Sequence, residues 1–396
     1  MSDRRLKIGL FNDSFFPQTD GVISVVDNYA RRLSRDHDVT VFVPKVKNFD
    51  DSAFPYRVVR CSSAKLPIID YSLPLTATDR SFRKEVRVAG LDIVHIHSPF
   101  PIGKLGLAYA KKHSIPCVGT MHSQFGQDFY RATRNKLITQ ELTKSVIKVF
   151  DSCTECWAVN SEVARIYFEE YHCKKLPRVA DNATDMTPVP DPISSARRIR
   201  ELHSIPDTNR VFLFVGRLNK LKNVFLIADA LALLKKSGMT DFTMLFVGSG
   251  QDEEELIHHV KKLELEDHAV FCGKVTDRQL LADYYSAADL FLFPSMYDAS
   301  SIVQIEAASQ KTPGIFFRGA ATAATVTDGV NGFLSDPDTE AFAEKIKELC
   351  DDPERVKRAG ENAFRDLWVT WDDAIASVVK RYEALIDQNE KLRSKA

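Results

Sequence analysis

The chain has 396 residues, more than one ordinary hydrophobic core organises, so two domains of common size are expected. With 44% hydrophobic and 27% charged residues it has a globular and not a disordered composition. The net charge is only −1, yet residues 1–180 carry 27 basic against 19 acidic side chains and the remainder carries 26 against 35. Such asymmetry suits a first half that meets an anionic surface, and equally a drift of charge between domains.

No apolar run reaches the roughly 20 residues of a spanning helix. The start MSDRRLKIGLF lacks the long apolar stretch of a secretory signal, so a cytoplasmic protein is expected. Seven scattered cysteines fit a reducing compartment. Cys153-x-x-Cys156 has no second close pair to complete a zinc site and reads as ordinary thiols.

In chain order, LKIGLF predicts a strand, and a helix follows with Ile23, Val26, Tyr29, Ala30 and Leu33 at helical spacing. VTVFVP, RVVRC, DIVHIHS, CVGTMHS and CWAVNS predict further strands, with a helix over IGKLGLAYAKKH and another from about Ser161. Strands alternating with helices predict a parallel sheet covered on both faces. The proline- and aspartate-rich stretch 181–192 breaks that rhythm and marks the domain join. Beyond it VFLFVG, TMLFVG, AVFCG, DLFLFPS and PGIFF alternate with helices around 222–236, 252–263, 277–287 and 301–310. A terminal amphipathic helix is expected from about Asp372 to Lys391. The α/β halves are therefore two doubly wound sheets. Their domains are placed at 1–184 and 185–374, with the helix from about 375 packing back on the first. Ligands of such sheets bind beyond the carboxyl ends of the strands, and a cleft between two of them is the default site.

Arg217 and Lys222 follow the strand VFLFVG, where a guanidinium fork and an ammonium can clamp a diphosphate. Asp298 and Glu306 lie eight residues apart across a helix start. Ser301-x-x-Gln304 reads as a capping box that begins the helix at Ile302. Free amides at that end form an anion site, while Glu306 suits ribose hydroxyls and Asp298 sugar hydroxyls.

As an ordered set, GR…K, carboxylate-x7-Glu, VFCGKV, DLFLFPS and DGVNGF resemble the glycosyltransferase family 4 type of GT-B enzyme over nearly the whole chain. The resemblance implies a GT-B fold of two Rossmann-like domains and a retaining transfer that needs no metal or other cofactor. It assigns the donor diphosphate to Arg217 and Lys222 and the ribose to Glu306. Asp298 and Ser300, Ser301, Ile302 and Val303 would meet the phosphates or sugar, and Lys274 and Val275 the base. The chain departs from the family at Asp298-Ala299-Ser300-Ser301, where Glu-x-Phe-Gly is usual. Stabilisation of the departing diphosphate by Arg217, Lys222 and the helix end would carry most of the catalysis.

In the first half, Gly21 sits in the turn before the first helix, where backbone can approach phosphate, or where a helix simply enters. By the resemblance His122 faces the donor sugar and counts with Arg217, Lys222 and Asp298 among the catalytic candidates. His95 and His97 share one face of a strand and read as a structural pair without a third ligand. Asp36-His37-Asp38 lies between a helix and a strand and is not assigned to a metal.

DIVHIHSPFPIGKLGLAYAKKHSIPCVGTMHS is similar to bacterial diacylglycerol glucosyltransferases, implying UDP-glucose as donor and a lipid acceptor. Residues 45–87 mix Lys45, Lys47, Arg57, Arg60, Lys65, Arg80, Arg83, Lys84 and Arg87 with Phe49, Phe54, Tyr56, Leu66, Ile68, Ile69, Tyr71 and Leu73. This suits an anionic bilayer at the inner face of the cell membrane, or an ordinarily packed acceptor lobe. Competing readings are a glycosyltransferase of polysaccharide or soluble glycosides and a nucleotide-sugar-binding protein without transfer activity. Nucleic acid is not an expected partner, since no aromatic stacking platform interleaves the basic residues.

Overall fold

The computed structural model describes residues 4–18, 20–65 and 72–395. Two compact units form, one from the residues up to Asn182 with the stretch from Trp371 onward, the other from Ala183–Thr370.

The first unit runs β1 (Lys7–Phe11), α1 (Gly21–Leu33), β2 (Asp38–Pro44), β3 (Arg57–Cys61), β4 (Ser63–Lys65), β5 (Ser72–Pro74), α2 (Arg80–Val88), β6 (Ile93–Ile96) and α3 (Pro101–His113). It continues through β7 (Cys117–Met121), α4 (Phe125–Thr133), α5 (Lys136–Phe150), β8 (Glu155–Ala158), α6 (Ser161–Arg165) and β9 (Arg178–Val179). Its parallel sheet has the order β3-β2-β1-β6-β7-β8-β9, while β4 and β5 pair antiparallel beside it. Every residue of β6 and β7 is buried, as expected of central strands covered on both faces. Asp20 caps α1 by accepting from the amide of Ile23 at 2.8 Å. Pro101 opens α3 without losing a helical hydrogen bond.

The second unit runs α7 (Pro192–Leu202), β10 (Arg210–Val215), α8 (Val224–Lys236), β11 (Phe242–Val247), α9 (Glu253–Lys262), β12 (Ala269–Gly273) and α10 (Arg278–Ala287). Then follow β13 (Leu290–Phe293), α11 (Ile302–Ser309), β14 (Gly314–Phe317), β15 (Phe333–Ser335), α12 (Thr339–Cys350) and α13 (Pro353–Leu367). The sheet order is β12-β11-β10-β13-β14-β15, all parallel. Phe212, Phe214, Phe246, Phe291 and Phe293 fill its centre, each worth about 1.5–3 kcal/mol when fully buried. The last helix, α14 (Trp371–Arg393), belongs to the first unit, where Trp371 and Tyr382 are buried and Arg381 pairs with Glu155.

In both sheets the winding direction reverses once, between β1 and β6 and between β10 and β13. Loops leaving the carboxyl ends of such a strand pair turn to opposite faces and leave a crevice at the reversal.

Two expectations need correction. Gly21 is not in the turn but is the first residue of α1. Residues 45–87 are not one free basic and apolar surface either. Phe54 stacks on Tyr56 and Phe49, and Arg60 lies over the Phe15 and Phe49 rings while binding Asp51 through two nitrogens. Leu66, Ile68, Ile69 and Tyr71 lie outside the described residues. All seven cysteines are free thiols.

Gly103 lies one turn into α3, where a β-carbon would stand 1.8 Å from the Ser98 carbonyl oxygen, whereas one at Gly21 would meet nothing. Gly103→Ala should therefore destabilise the first unit by about 1–3 kcal/mol. Gly21→Ala should leave stability unchanged or raise it by up to about 1 kcal/mol. Urea unfolding followed by circular dichroism checks the pair.

Candidate functional site

In the second unit the crevice is bounded by residues 216–223 after β10 and residues 294–301 after β13. The two loops are tied together. Asn223, in the left-handed conformation (φ 54°), donates from Nδ2 to the Pro294 carbonyl at 2.8 Å. The Lys222 ammonium binds Asp298 and lies 5.6 Å from the Phe293 ring centroid. Arg217 differs from its neighbour: it is exposed and makes no hydrogen bond or ion pair with the described residues. One cation is thus held ready by a carboxylate and the other points to solvent.

The helix start opposite them differs from expectation. α11 begins at Ile302, but the Ser301 side chain makes no cap hydrogen bond. Gln304 turns away, donating from Nε2 to Thr325 Oγ1 at 3.2 Å, so the capping box does not form. No side chain of Ser301 competes for the first-turn amides, which matters because the positive end of a helix favours an anion there.

Glu306 is only 5% exposed, not a solvated helix residue. Its Oε1 accepts from Arg278 Nη1 at 2.8 Å and its Oε2 from the Tyr285 hydroxyl at 3.0 Å. Burial pushes its carboxyl above the usual range, and Arg278 and Tyr285 oppose that rise. Each oxygen keeps a second lone pair for a ligand hydroxyl. Arg278 carries no sequence signal, since its partner stands 28 residues away. Lys274 is exposed just past β12, an edge strand, and Val275 packs partly on the core. Ser300 is half-buried and Val303 packs on the core from the first turn of α11. A depression lined by Arg210, Asp289, Lys311 and Lys357 lies at the opposite ends of β10 and β13 and takes no part in this constellation.

In the first unit, Asp13 ties the β1 loop to the start of α3. It accepts from the amides of Ile102 and Gly103 at 2.8 and 3.2 Å and from Ser98 Oγ at 2.5 Å. An acid straight after a strand was its only signal. Burial raises the Asp13 carboxyl despite these bonds. Gly21 stands at the mouth of the other loop with open space above its α-carbon.

His122 follows β7 and is half-buried, with Nε2 3.0 Å from His97 Nδ1. Burial pushes its imidazole down to about 3, so it is neutral at physiological pH. His95 is wholly buried between the Tyr382 hydroxyl at 2.5 Å and Thr120 Oγ1 at 2.6 Å. Among the described residues no group of three or more histidine, cysteine or carboxylate side chains is arranged to hold a metal.

The model of the family described as Glycosyltransferase Family 4 matches residues 19–187, and that described as Glycosyl transferases group 1 matches residues 195–366. An alpha-monoglucosyldiacylglycerol synthase of Streptococcus pneumoniae is 26% identical over 321 residues, 78% of this chain and 70% of its own. A synthase of the same name from Acholeplasma laidlawii is 24% identical over 406 residues, 98% of this chain and 100% of its own. Anabaena Alr3699/HepE, solved in complex with UDP and glucose, superposes with a TM-score of 0.73 at 19% identity. The match covers 95% of this chain and 100% of that one, showing the shared GT-B fold.

A carboxyl raised by folding favours its protonated form in the folded state. Its cost is absent below the ordinary value of 4.5 and complete above the raised one. Removing Arg278 raises Glu306 further, so Arg278→Ala should lose about 1–2 kcal/mol at pH 8, discounted because Arg278 is half-exposed, and less near pH 4.5. Urea midpoints at the two pH values test this; equal losses would mean that Arg278 acts through packing alone.

Proposed function

The chain belongs to the glycosyltransferases that join a Glycosyltransferase Family 4 domain to a Glycosyl transferases group 1 domain, and we propose that it moves glucose from UDP-glucose, with retention, to a membrane lipid such as 1,2-diacylglycerol. The observation that carries this is the cationic crevice between β10 and β13. Arg217 is uncommitted there, Lys222 is held by Asp298, and α11 starts without a side-chain cap. A diphosphate is the dianionic group such a crevice fits. Charge develops on it as the glycosidic bond breaks, so these donors stabilise the transition state more than the ground state. Glu306 takes the ribose hydroxyls, Asp298 and residues 300–303 the sugar and phosphates, and Lys274 and Val275 the base. His122 meets a substrate oxygen from the first unit. No metal is assigned a part, because the two cations and the helix end supply the positive charge.

Glucose and the lipid acceptor follow the names of the two synthases and the UDP and glucose held by the Anabaena protein. Among the described residues no helix is long and apolar enough to cross a membrane, so a lipid acceptor would be met at a surface. The hairpin of α4 and α5 is suited to that. Tyr130, Leu137 (74% exposed), Ile138 and Leu142 face solvent beside Arg131, Arg134 and Lys136, and no acidic residue lies between Asp128 and Glu141. Apolar side chains flanked by cations match an anionic bilayer, each cation adding about 1 kcal/mol.

Arg217→Ala and Lys222→Ala should each lower turnover of UDP-glucose by roughly 10²- to 10³-fold. Near-normal turnover in both would sink the reading. Consumption of GDP-mannose in preference to UDP-glucose, or transfer to sugars but not to diacylglycerol, would replace the donor or the acceptor.

The protein should sediment with vesicles containing phosphatidylglycerol and not with phosphatidylcholine alone. Leu137→Asp/Ile138→Asp should weaken that binding roughly tenfold or more. Equal binding to both vesicles would remove the anionic surface from the proposal.

A further inference from the structure

His97 and His122 end the neighbouring strands β6 and β7, whose pairing sets Ile96 beside Gly119. Three imidazoles lie in a row there: His95 stacks on His97 at 4.1 Å between ring centroids, and His122 lies near-parallel to His97 and meets it edge to edge at 5.2 Å. His95 has both nitrogens engaged, by Tyr382 and Thr120. The other two rings share one hydrogen bond, between His97 Nδ1 and His122 Nε2, which holds one proton. No carboxylate binds any of the three rings among the described residues, and burial lowers all of them, so none carries a charge at neutral pH.

Two arrangements of that proton remain. If His122 donates, His97 must keep its own proton on Nε2. That atom is fully buried and has no hydrogen-bond partner among the described residues. Tyr29 stands edge-to-face to the ring at 5.5 Å, and an N–H contact with its π face would be weaker than a hydrogen bond. If His97 donates, the buried Nε2 is only a bare lone pair. Orphaned buried N–H groups are rare in proteins, which favours the second arrangement. His122 then accepts at Nε2 and carries its proton on Nδ1, which makes no bond within the described chain.

We propose that His97 is a positioning residue: by donating its Nδ1 proton to His122 Nε2 it fixes the His122 tautomer protonated on Nδ1, so that His122 meets a substrate oxygen as a hydrogen-bond donor and not as a base. The second half rests on the role given to His122 above; the tautomer stands independently of it. A donor placed this way can bind a sugar hydroxyl or a phosphoryl oxygen and needs no proton transfer to do so.

Two-bond proton–nitrogen spectra of the full chain labelled with ¹⁵N-histidine test this, with the His122 signals assigned by their loss in His122→Asn. At pH 7 His122 should be protonated on Nδ1 and bare on Nε2, and His97 protonated on Nδ1. An imidazolium, or a proton on His122 Nε2, overturns the proposal. His97→Asn, whose amide can still donate, should keep the His122 tautomer and turn over UDP-glucose within a few-fold of the parent. His97→Asp, which accepts, should move the proton to His122 Nε2 and lower kcat by roughly 10- to 100-fold. Equal kcat in these two variants, with the tautomer changed in one, would show that the tautomer does not matter to the reaction. Loss of effect in the Arg217 and Lys222 variants would instead remove the donor reading and leave the tautomer intact.

Discussion

A parallel sheet whose winding reverses once has a single place where neighbouring loops diverge, and in both units the functional candidates stand there. Between β10 and β13 this puts Arg217 and Lys222 against Asp298 and the start of α11. At the end of β6, which pairs with β1, it puts His97, and His122 meets it from the end of the next strand, β7. Other features support that constraint. Asn223 adopts a left-handed conformation so that its amide can reach Pro294, and Asp13 spans two loops to hold the first amides of α3. These bonds fasten the loops that form the crevices.

The electrostatics of the second unit divide the labour between its charged groups. Lys222 is held in place by Asp298, so an incoming anion finds it already oriented but must compete with a carboxylate for it. Arg217 has no such competitor and keeps its full set of donors for a ligand. Glu306 is the inverse case, a buried anion whose position is maintained by Arg278 and Tyr285. A hydroxyl bound there would donate to a carboxylate that cannot swing away, which favours recognition of a diol over loose solvation.

Much of this was legible in the sequence where burial leaves a continuous mark. Apart from Arg210 and Thr243, β10, β11, β13 and β14 are apolar throughout because helices cover both faces, and the cations and carboxylates that follow β10 and β13 stand out against them. α4 and the first half of α5 left no such mark: Tyr130, Leu137, Ile138 and Leu142 face outward, and only Val146, Ile147, Val149 and Phe150 further along α5 are buried. The capping box was misleading for a tertiary reason, because Gln304 reaches Thr325, which sequence spacing cannot anticipate. Arg278 and Asp13 act on groups far along the chain, and the basic cluster of 45–87 loses Arg60 and its aromatic neighbours to one another.

Thr184 and Thr370 lie side by side in a parallel bridge, and the amide of Thr184 donates to the Val369 carbonyl at 3.0 Å. The two ends of the second unit are therefore neighbours, and that unit is one uninterrupted length of chain set inside the other. Along the chain it has the form of an insertion. A block exchange of residues 183–370 would therefore cut and rejoin the chain at a single pair of adjacent points.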